Sequence, residues 1–148
     1  MKVCFDTNVV IDILGQTDDF LDSYAACDIC LIRGFTVLIP ITSTTDVCYI
    51  MPRRDLASGT EARELLSAFL EIAEVIDARA ADVRQALASD MPDHEDALLA
   101  YMALRQGVDL IVTRNKQGFV HSPVPVMAPS EFVRAFKQVD VDYTVMTL

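Results

Sequence analysis

The 148-residue sequence lacks several features that mark common classes of protein. No uninterrupted apolar run approaches the ~18 residues that a membrane span needs, although hydrophobic residues make up 52% of the chain. The first residues lack the charged, apolar and small-residue zones of a signal peptide. No glycine-rich phosphate loop and no Ser-His-Asp order is apparent. We therefore expect a cytoplasmic protein without a membrane partner, whose surplus of apolar residues serves a partner or a self-interface, with a homodimer as the expected assembly.

A second pair of cysteines at metal-binding spacing is also missing. Cys27 and Cys30 have the spacing of a metal knuckle or a redox pair, but no other two cysteines in the sequence have this spacing. They lie in a helical pattern beside Ala26 and Leu31, which favours core packing over redox or zinc chemistry. Free cysteines of this kind fit a reducing compartment.

Positive charge is scarce. Twelve Lys and Arg against 22 Asp and Glu give a formal charge of −10, the wrong sign for a protein held on nucleic acid by a broad basic face. A nuclease is not excluded, because divalent cations neutralise clustered acids and local arginines hold phosphates. A basic partner peptide also fits this charge. The arginines that could hold phosphates are Arg33, Arg53, Arg54, Arg105 and Arg114.

Strand and helix patterns alternate along the chain, which predicts a three-layer α/β/α fold with a central, mainly parallel sheet. Without an internal repeat or a long linker, residues 1–136 are predicted to form a single domain. The tail 137–148 alternates with period two and predicts an edge strand or a partner-docking arm. The predicted strands span 2–5, 36–39, 74–76, 109–113 and 124–127, and the predicted helices begin near residue 9 and span 18–33, 44–51, 61–71, 80–88, 93–105 and 129–136.

The first predicted strand runs directly into Asp6. An ionised carboxylate after a buried strand is costly unless hydrogen bonds, a cation or solvent receive it. Ligands of open α/β sheets bind outside the carboxyl ends of the strands. Asp6 is therefore a candidate metal ligand. The alternative has equal weight on this segment alone, because Asp6 or Asn8 would also suit as the cap of the helix that begins near Val9.

Three acids within four residues, Asp93, Glu95 and Asp96, open an almost wholly apolar helix. The helix macrodipole favours acids there, but three exceed what capping needs, and Asp93 and Asp96 share a face. A divalent cation relieves the repulsion between such charges, so we expect metal ligands in this group. His94 is expected to face solvent. Asp46, in another predicted helix, is by itself more typical of a solvated surface acid.

A polar segment follows the strand predicted at 109–113. Thr113 and Asn115 can orient a metal-bound water or a carboxylate there, and Arg114 and Lys116 offer phosphate contacts; a polar turn with an Asn cap is the alternative. Since Asp6 also follows a parallel strand, it should project from the same edge of the sheet, with the helix acids beside it. Oxygen-rich ligands of this sort suit Mg²⁺ or Mn²⁺, which bind phosphate and activate water for attack on a phosphodiester.

These blocks together resemble the PIN-domain family over roughly residues 1–136. The resemblance implies a compact α/β/α fold and a Mg²⁺- or Mn²⁺-dependent ribonuclease. VapC-type toxins of toxin–antitoxin pairs are bacterial members, so an RNA substrate and a cognate antitoxin are the expected partners. The blocks are Val3-Cys4-Phe5-Asp6-Thr7-Asn8-Val9-Val10-Ile11-Asp12, Thr42-Ser43-Thr44-Thr45-Asp46, Asp93-His94-Glu95-Asp96-Ala97-Leu98 and Ile111-Val112-Thr113-Arg114-Asn115, followed by Ser122-Pro123-Val124-Pro125-Val126-Met127 and Pro129-Ser130-Glu131-Phe132.

The resemblance also implies the roles of individual side chains. Asp6, Asp46 and Asp96 match the acidic metal site of the family, and Asn115 stands at its fourth, polar position, which completes the catalytic set. The expected auxiliary residues are Asp93, Glu95 and Thr113.

The chain departs from the family pattern at Gly118. Relatives with the Thr-Arg-Asn form commonly carry an Asp at this place, followed by Phe, as Phe119 follows here. Two functions therefore stay open: an active ribonuclease of single-stranded RNA, and a weakened module of the same fold that binds metal and RNA. A phosphatase with Asp6 as nucleophile fits poorly, because such enzymes generally need a second Asp where this chain has Asn8.

Overall fold

Strands and helices alternate along residues 1–137, the part of the chain that the computed structural model describes. The strands are β1 (Lys2–Phe5), β2 (Thr36–Pro40), β3 (Ala73–Ile76), β4 (Leu110–Val112) and β5 (Val126–Met127). The α-helices are α1 (Thr7–Gly15), α2 (Phe20–Arg33), α3 (Ile41–Arg53), α4 (Gly59–Phe69), α5 (Ala80–Ala88), α6 (His94–Arg105) and α7 (Pro129–Phe136), and a 3₁₀ helix spans Lys116–Phe119.

The strands form one sheet in the order β3-β2-β1-β4-β5, and every neighbouring pair is parallel. β1 lies at the centre, with Val3 opposite Val37 of β2 on one side and Leu110 of β4 on the other. The chain leaves β1 toward β2 and β3, and later returns to the far side of β1 as β4. The order therefore reverses between β1 and β4, where an α/β sheet leaves a crevice for ligands at its carboxyl edge.

Side chains alternate between the two faces of the sheet and build a core on each. Val3 and Phe5 of β1 pack in a cluster with α1, α2, α3, α4 and α7, whereas Cys4 packs in a second cluster with α5 and α6. The predicted α/β/α class with a parallel sheet is therefore confirmed. Arg105 ties α6 to α5 through a hydrogen bond of 3.0 Å to the buried Asp82 carboxylate.

The cysteines belong to the core, as the helical pattern indicated. Cys27 and Cys30 are buried in α2, and all four thiols are free. Burial raises the pKa of Cys27 to about 12, so its thiol stays neutral and unreactive.

The predicted boundaries of α3 were wrong at both ends. The helix begins at Ile41 with Pro40 as its N-cap, three residues earlier than predicted. Thr44 donates to the Ile41 carbonyl at 2.6 Å, and Ser43 is buried. Pro52 was predicted to lie beyond the end of the helix, but α3 carries it inside its last turn and ends at Arg53.

Other boundaries differ by smaller amounts. α4 begins at Gly59 because Ser58 and Glu61 form a capping box. This start lies two residues before the predicted one at residue 61. α5 and α7 have the predicted bounds. No helix within residues 1–137 is long and apolar enough to cross a membrane. The prediction for the tail lies outside the described residues except at Lys137, and the domain boundary at residue 136 stays a prediction.

Candidate active site

An acidic cavity of about 240 Å³ opens at the carboxyl ends of β1 and β4. Four of its side chains are carboxylates, and they come from β1, α3 and α6, which are far apart in sequence. The four residues predicted as the catalytic set all line it. The cavity is lined by Asp6, Thr7, Asn8, Ile11, Asp46, Ile50, Arg54, Glu95, Asp96 and Asn115.

Asp6 is the helix cap that the sequence allowed, and its carboxylate also lines the acidic cavity. As the N-cap of α1, it accepts a hydrogen bond from the Thr7 backbone N–H at 2.8 Å through Oδ1. Its Oδ2 accepts a second bond from the Thr113 hydroxyl, also at 2.8 Å. Burial raises the pKa of Asp6, these bonds lower it in part, and the charges of Asp46 and Asp93 raise it further. Capping therefore orients the carboxylate without removing it from the cavity.

Asp96 lies at the other side of the cavity, in the first turn of α6. It is only 8% exposed, and its Oδ2 accepts a hydrogen bond from the Asn115 amide at 3.3 Å. Burial, together with the charges of Asp6, Asp93 and Glu95, raises the pKa of Asp96 to about 7. Asp93 itself is the N-cap of the helix and accepts from the Asp96 backbone N–H at 3.0 Å.

Asp46 and Glu95 meet across the cavity from α3 and α6. A hydrogen bond to Asp46 raises the pKa of Glu95 to about 7, with further contributions from burial and from the charges of Asp46, Asp6 and Asp93. The lone acid of α3 therefore belongs to the cluster, and it is not the solvated surface residue that α3 taken alone would suggest.

Gly118 makes room for Asp96. A Cβ atom at this position would lie 1.8 Å from Oδ2 of Asp96 and 2.9 Å from the Asn115 amide nitrogen. The Asp96 carboxylate thus occupies the space that a side chain at position 118 would need. The glycine that departs from the family pattern is thus the residue that leaves room for Asp96.

Arg114 is held by a buried acid outside the cavity. Its Nε donates to Asp12 Oδ2 at 2.7 Å, and its Nη2 donates to Asp12 Oδ1 at 3.2 Å. The Asp12 side chain is completely buried. Thr17 and Ser23 donate to the same carboxylate at 2.6 and 2.9 Å. Arg114 lines a separate cavity of about 330 Å³ beside Ser23.

The Asp12–Arg114 pair ties the segment after β4 to α1. The backbone N–H of Arg114 also donates to Asn8 Oδ1 at 3.2 Å, which fixes its neighbours Thr113 and Asn115 beside the cavity. Sequence reasoning missed Asp12, although an acid inside the apolar run 9–14 signals a buried ion pair.

The other cation predicted to contact phosphate is paired as well. Lys116 Nζ lies 2.8 Å from Glu131 Oε1 at the start of α7, and it does not line the acidic cavity. The phosphate-binding roles of Arg114 and Lys116 stay predictions, and both side chains already have acidic partners within the chain.

The donor chemistry of the cavity fits a hard divalent cation. Carboxylate and amide oxygens are the ligands that Mg²⁺ and Mn²⁺ prefer. Crowded acids with raised pKa values are the electrostatic condition that a cation relieves. Within residues 1–137, no three His, Cys, Asp or Glu side chains stand together as a ready-made ligand set. Binding an ion therefore requires the carboxylates to turn toward it.

A parallel α/β/α fold with an acidic cavity at the β1–β4 crevice is typical of metal-dependent nucleases. Comparison with known families identifies the family. The family model described as "PIN domain" matches residues 2–117. The chain therefore belongs to the PIN-domain family, whose members are generally nucleases. Comparison with curated protein sequences finds no match.

Solved structures support the same fold. One similar chain belongs to a structure described as VapBC2 from Rickettsia felis bound to a DNA fragment from their promoter, with 17% identity, a TM-score of 0.64, and coverage of 86% of this chain and 98% of that one. Another belongs to a toxin–antitoxin complex from Klebsiella pneumoniae, with 16% identity, a TM-score of 0.62, and coverage of 86% and 97%. At identities this low, the structural similarity shows a shared fold and no more than that.

The ion pair of Arg114 leads to a first prediction. Arg114→Ala leaves the Asp12 carboxylate buried without its cation, which should lower the free energy of unfolding by about 3–5 kcal/mol. Urea unfolding followed by circular dichroism measures this. The control is Arg63→Ala, because Arg63 is exposed on α4 and forms no ion pair with residues 1–137. An Arg114→Ala chain of unchanged stability that binds RNA less tightly would instead support the phosphate contact.

Proposed function

We propose that this protein is a metal-dependent endoribonuclease that hydrolyses phosphodiester bonds in single-stranded RNA, as the toxin of a toxin–antitoxin pair. The observation that carries the proposal is the convergence of acids from β1, α3 and α6 on one cavity at the reversal point of the sheet. Membership of a family of nucleases supports the same class of reaction.

Asp6, Asp46 and Asp96 are the residues we expect to hold Mg²⁺ or Mn²⁺, with Asn115 as the fourth, polar member. A bound ion of this kind supplies positive charge for the phosphate and activates water for attack on phosphorus. It would also offset the mutual repulsion of the acids, which adds to the effect of burial in raising the pKa of Asp96.

The surrounding residues orient these acids. The Thr7 backbone N–H and the Thr113 hydroxyl each donate a hydrogen bond to one oxygen of Asp6. The Asn115 amide holds Oδ2 of Asp96.

The alternative function is a weakened module of the same fold that binds metal and RNA without turnover. Gly118 favours it, because the family's acid at this position is absent. The packing of Asp96 against Gly118 favours the active enzyme, since the Asp96 carboxylate occupies the space that a side chain at position 118 would need. Mn²⁺-dependent cleavage decides between the two.

We also propose a cognate antitoxin as partner, because the similar solved chains come from toxin–antitoxin complexes. Exposed apolar side chains on α2, among them Leu31 and Ile32, provide surface for a protein partner. The expected homodimer stays a prediction that the mass of the isolated chain in solution will test.

Replacing the central acids tests the enzymatic proposal. Asp6→Asn and Asp96→Asn should each reduce Mn²⁺-dependent cleavage of a single-stranded RNA by about 100-fold or more, because each removes charge that the cation needs. Asp18→Asn, at an exposed position away from the cavity, is the matched control and should cut at the wild-type rate. Undiminished cleavage by both cavity variants would overturn the assignment.

Gly118 offers a test that reads metal binding without activity. Gly118→Ala should displace the Asp96 carboxylate and weaken Mn²⁺ binding by about tenfold. The rise in melting temperature with added Mn²⁺ measures the affinity. Gly59→Ala is the control, because apart from its chain neighbours and the backbone of its own helix nothing lies within 4 Å of the added methyl group there. If both variants respond to Mn²⁺ as the wild type does, Asp96 is not a ligand in the position described.

A further inference from the structure

Arg54, at the end of α3, brings positive charge to the acidic cavity. It follows Asp46 and Ile50 at intervals of four residues, so the three share one side of the helix and all line the cavity. Among the described residues that line this cavity, Arg54 is the one cation. A guanidinium beside four carboxylates is the group in this lining that attracts an anion.

The guanidinium of Arg54 is also uncommitted. Within residues 1–137 it forms no ion pair, whereas Arg105 and Arg114 are each bound to a buried Asp. Arg54 is exposed and is the C-cap residue that directly follows α3. Its fork of donors, suited to phosphate oxygens, is therefore available to a ligand.

A stacked pair lies beside Arg54 on the same helix. The Arg53 guanidinium carbon lies 3.4 Å from the centroid of the Tyr49 ring, and Arg53 donates to the Tyr49 carbonyl at 2.9 Å. Although one face of the ring is covered in this way, Tyr49 remains 59% exposed. The pair presents a flat, positively charged surface to solvent, on which an unpaired base can stack.

We propose that the C-terminal half of α3 is the surface that holds single-stranded RNA against the acidic cavity. Arg54 binds a backbone phosphate, and the Tyr49–Arg53 pair stacks a base of the same strand. The inference rests on the proposed ribonuclease function. It also explains how a chain with a formal charge of −10 retains a polyanion, since the attraction is local.

The RNA is preferred over an acidic protein segment because of Tyr49. Arg54 alone would suit either anion, but an exposed aromatic ring held flat by a guanidinium is a platform for bases. Single strands offer bases for stacking, whereas a duplex keeps its bases within the helix. The surface is thus selective for unpaired RNA.

The test measures binding apart from cleavage. A fluorescein-labelled single-stranded RNA of about 12 nucleotides is titrated with each variant in EDTA, and fluorescence anisotropy is read at several salt concentrations. Arg54→Ala should weaken binding and reduce the slope of log affinity against log salt by about 0.7, the value for one lost phosphate contact. Tyr49→Ala should weaken binding about tenfold with the slope unchanged, and Tyr49→Phe should bind as the wild type does.

Arg84→Ala is the matched control, because Arg84 is exposed on α5, forms no ion pair with the described residues and lies outside the cavity. It loses the same charge and should bind RNA as the wild type does. The melting temperatures of all variants confirm that they are folded.

The outcomes separate this inference from the proposed function. If the wild type cuts RNA with Mn²⁺ while Arg54→Ala, Tyr49→Ala and Arg84→Ala bind RNA alike, the surface assignment is overturned and the ribonuclease stands. If Arg54→Ala and Tyr49→Ala bind RNA normally but lose a protein partner, the surface is a protein interface and the inference fails. If both lose RNA binding while the wild type never cuts, the surface stands and the enzymatic function fails.

Discussion

The pairing of β1 with β4 places Asp6 against Thr113, and the remainder of the acidic cavity depends on this contact. Phe5 and Val112 are partners in register, so the next residues of each strand emerge side by side at the carboxyl edge of the sheet. The 2.8 Å bond from the Thr113 hydroxyl and the cap of α1 then fix the Asp6 carboxylate where α3 and α6 can bring further acids. A slip of one residue in this register would turn Asp6 to the other face.

Burying these acids costs free energy, and hydrogen bonds from neighbouring residues offset part of that cost. Asp6 and Asp96 accept hydrogen bonds from Thr113 and Asn115, and Asp46 is the neighbour that contributes most to the raised pKa of Glu95. Arg114 takes no part in this balance, because the buried Asp12 binds it. The two cavities on either side of the segment after β4 thus have separate chemistry: one is a cluster of acids, the other contains an ion pair.

Much of the fold followed from periodicity, because apolar spacing determines which face of an element is buried. α5 and α7 had the predicted bounds, and β1 did too. The start of α3 did not follow, since hydroxyls in its first turn bond to the helix backbone and no spacing rule distinguishes this from capping. The location of Asp6, Asp46, Asp96 and Asn115 in one cavity was anticipated by resemblance to the PIN-domain family and by the rule for strand ends. The Asp12–Arg114 pair and the packing of Asp96 on Gly118 required coordinates, because both join residues distant in sequence.

We expect the cavity between β1, α3 and α6 to bind a divalent cation. Anomalous diffraction from crystals grown with Mn²⁺ tests it most directly, since it locates the ion without reference to activity. We expect an anomalous peak in contact with carboxylate oxygens of Asp6 and Asp96, with Asp46 nearby. A peak at another place in the molecule, or its absence from this cavity at saturating Mn²⁺, would contradict the account.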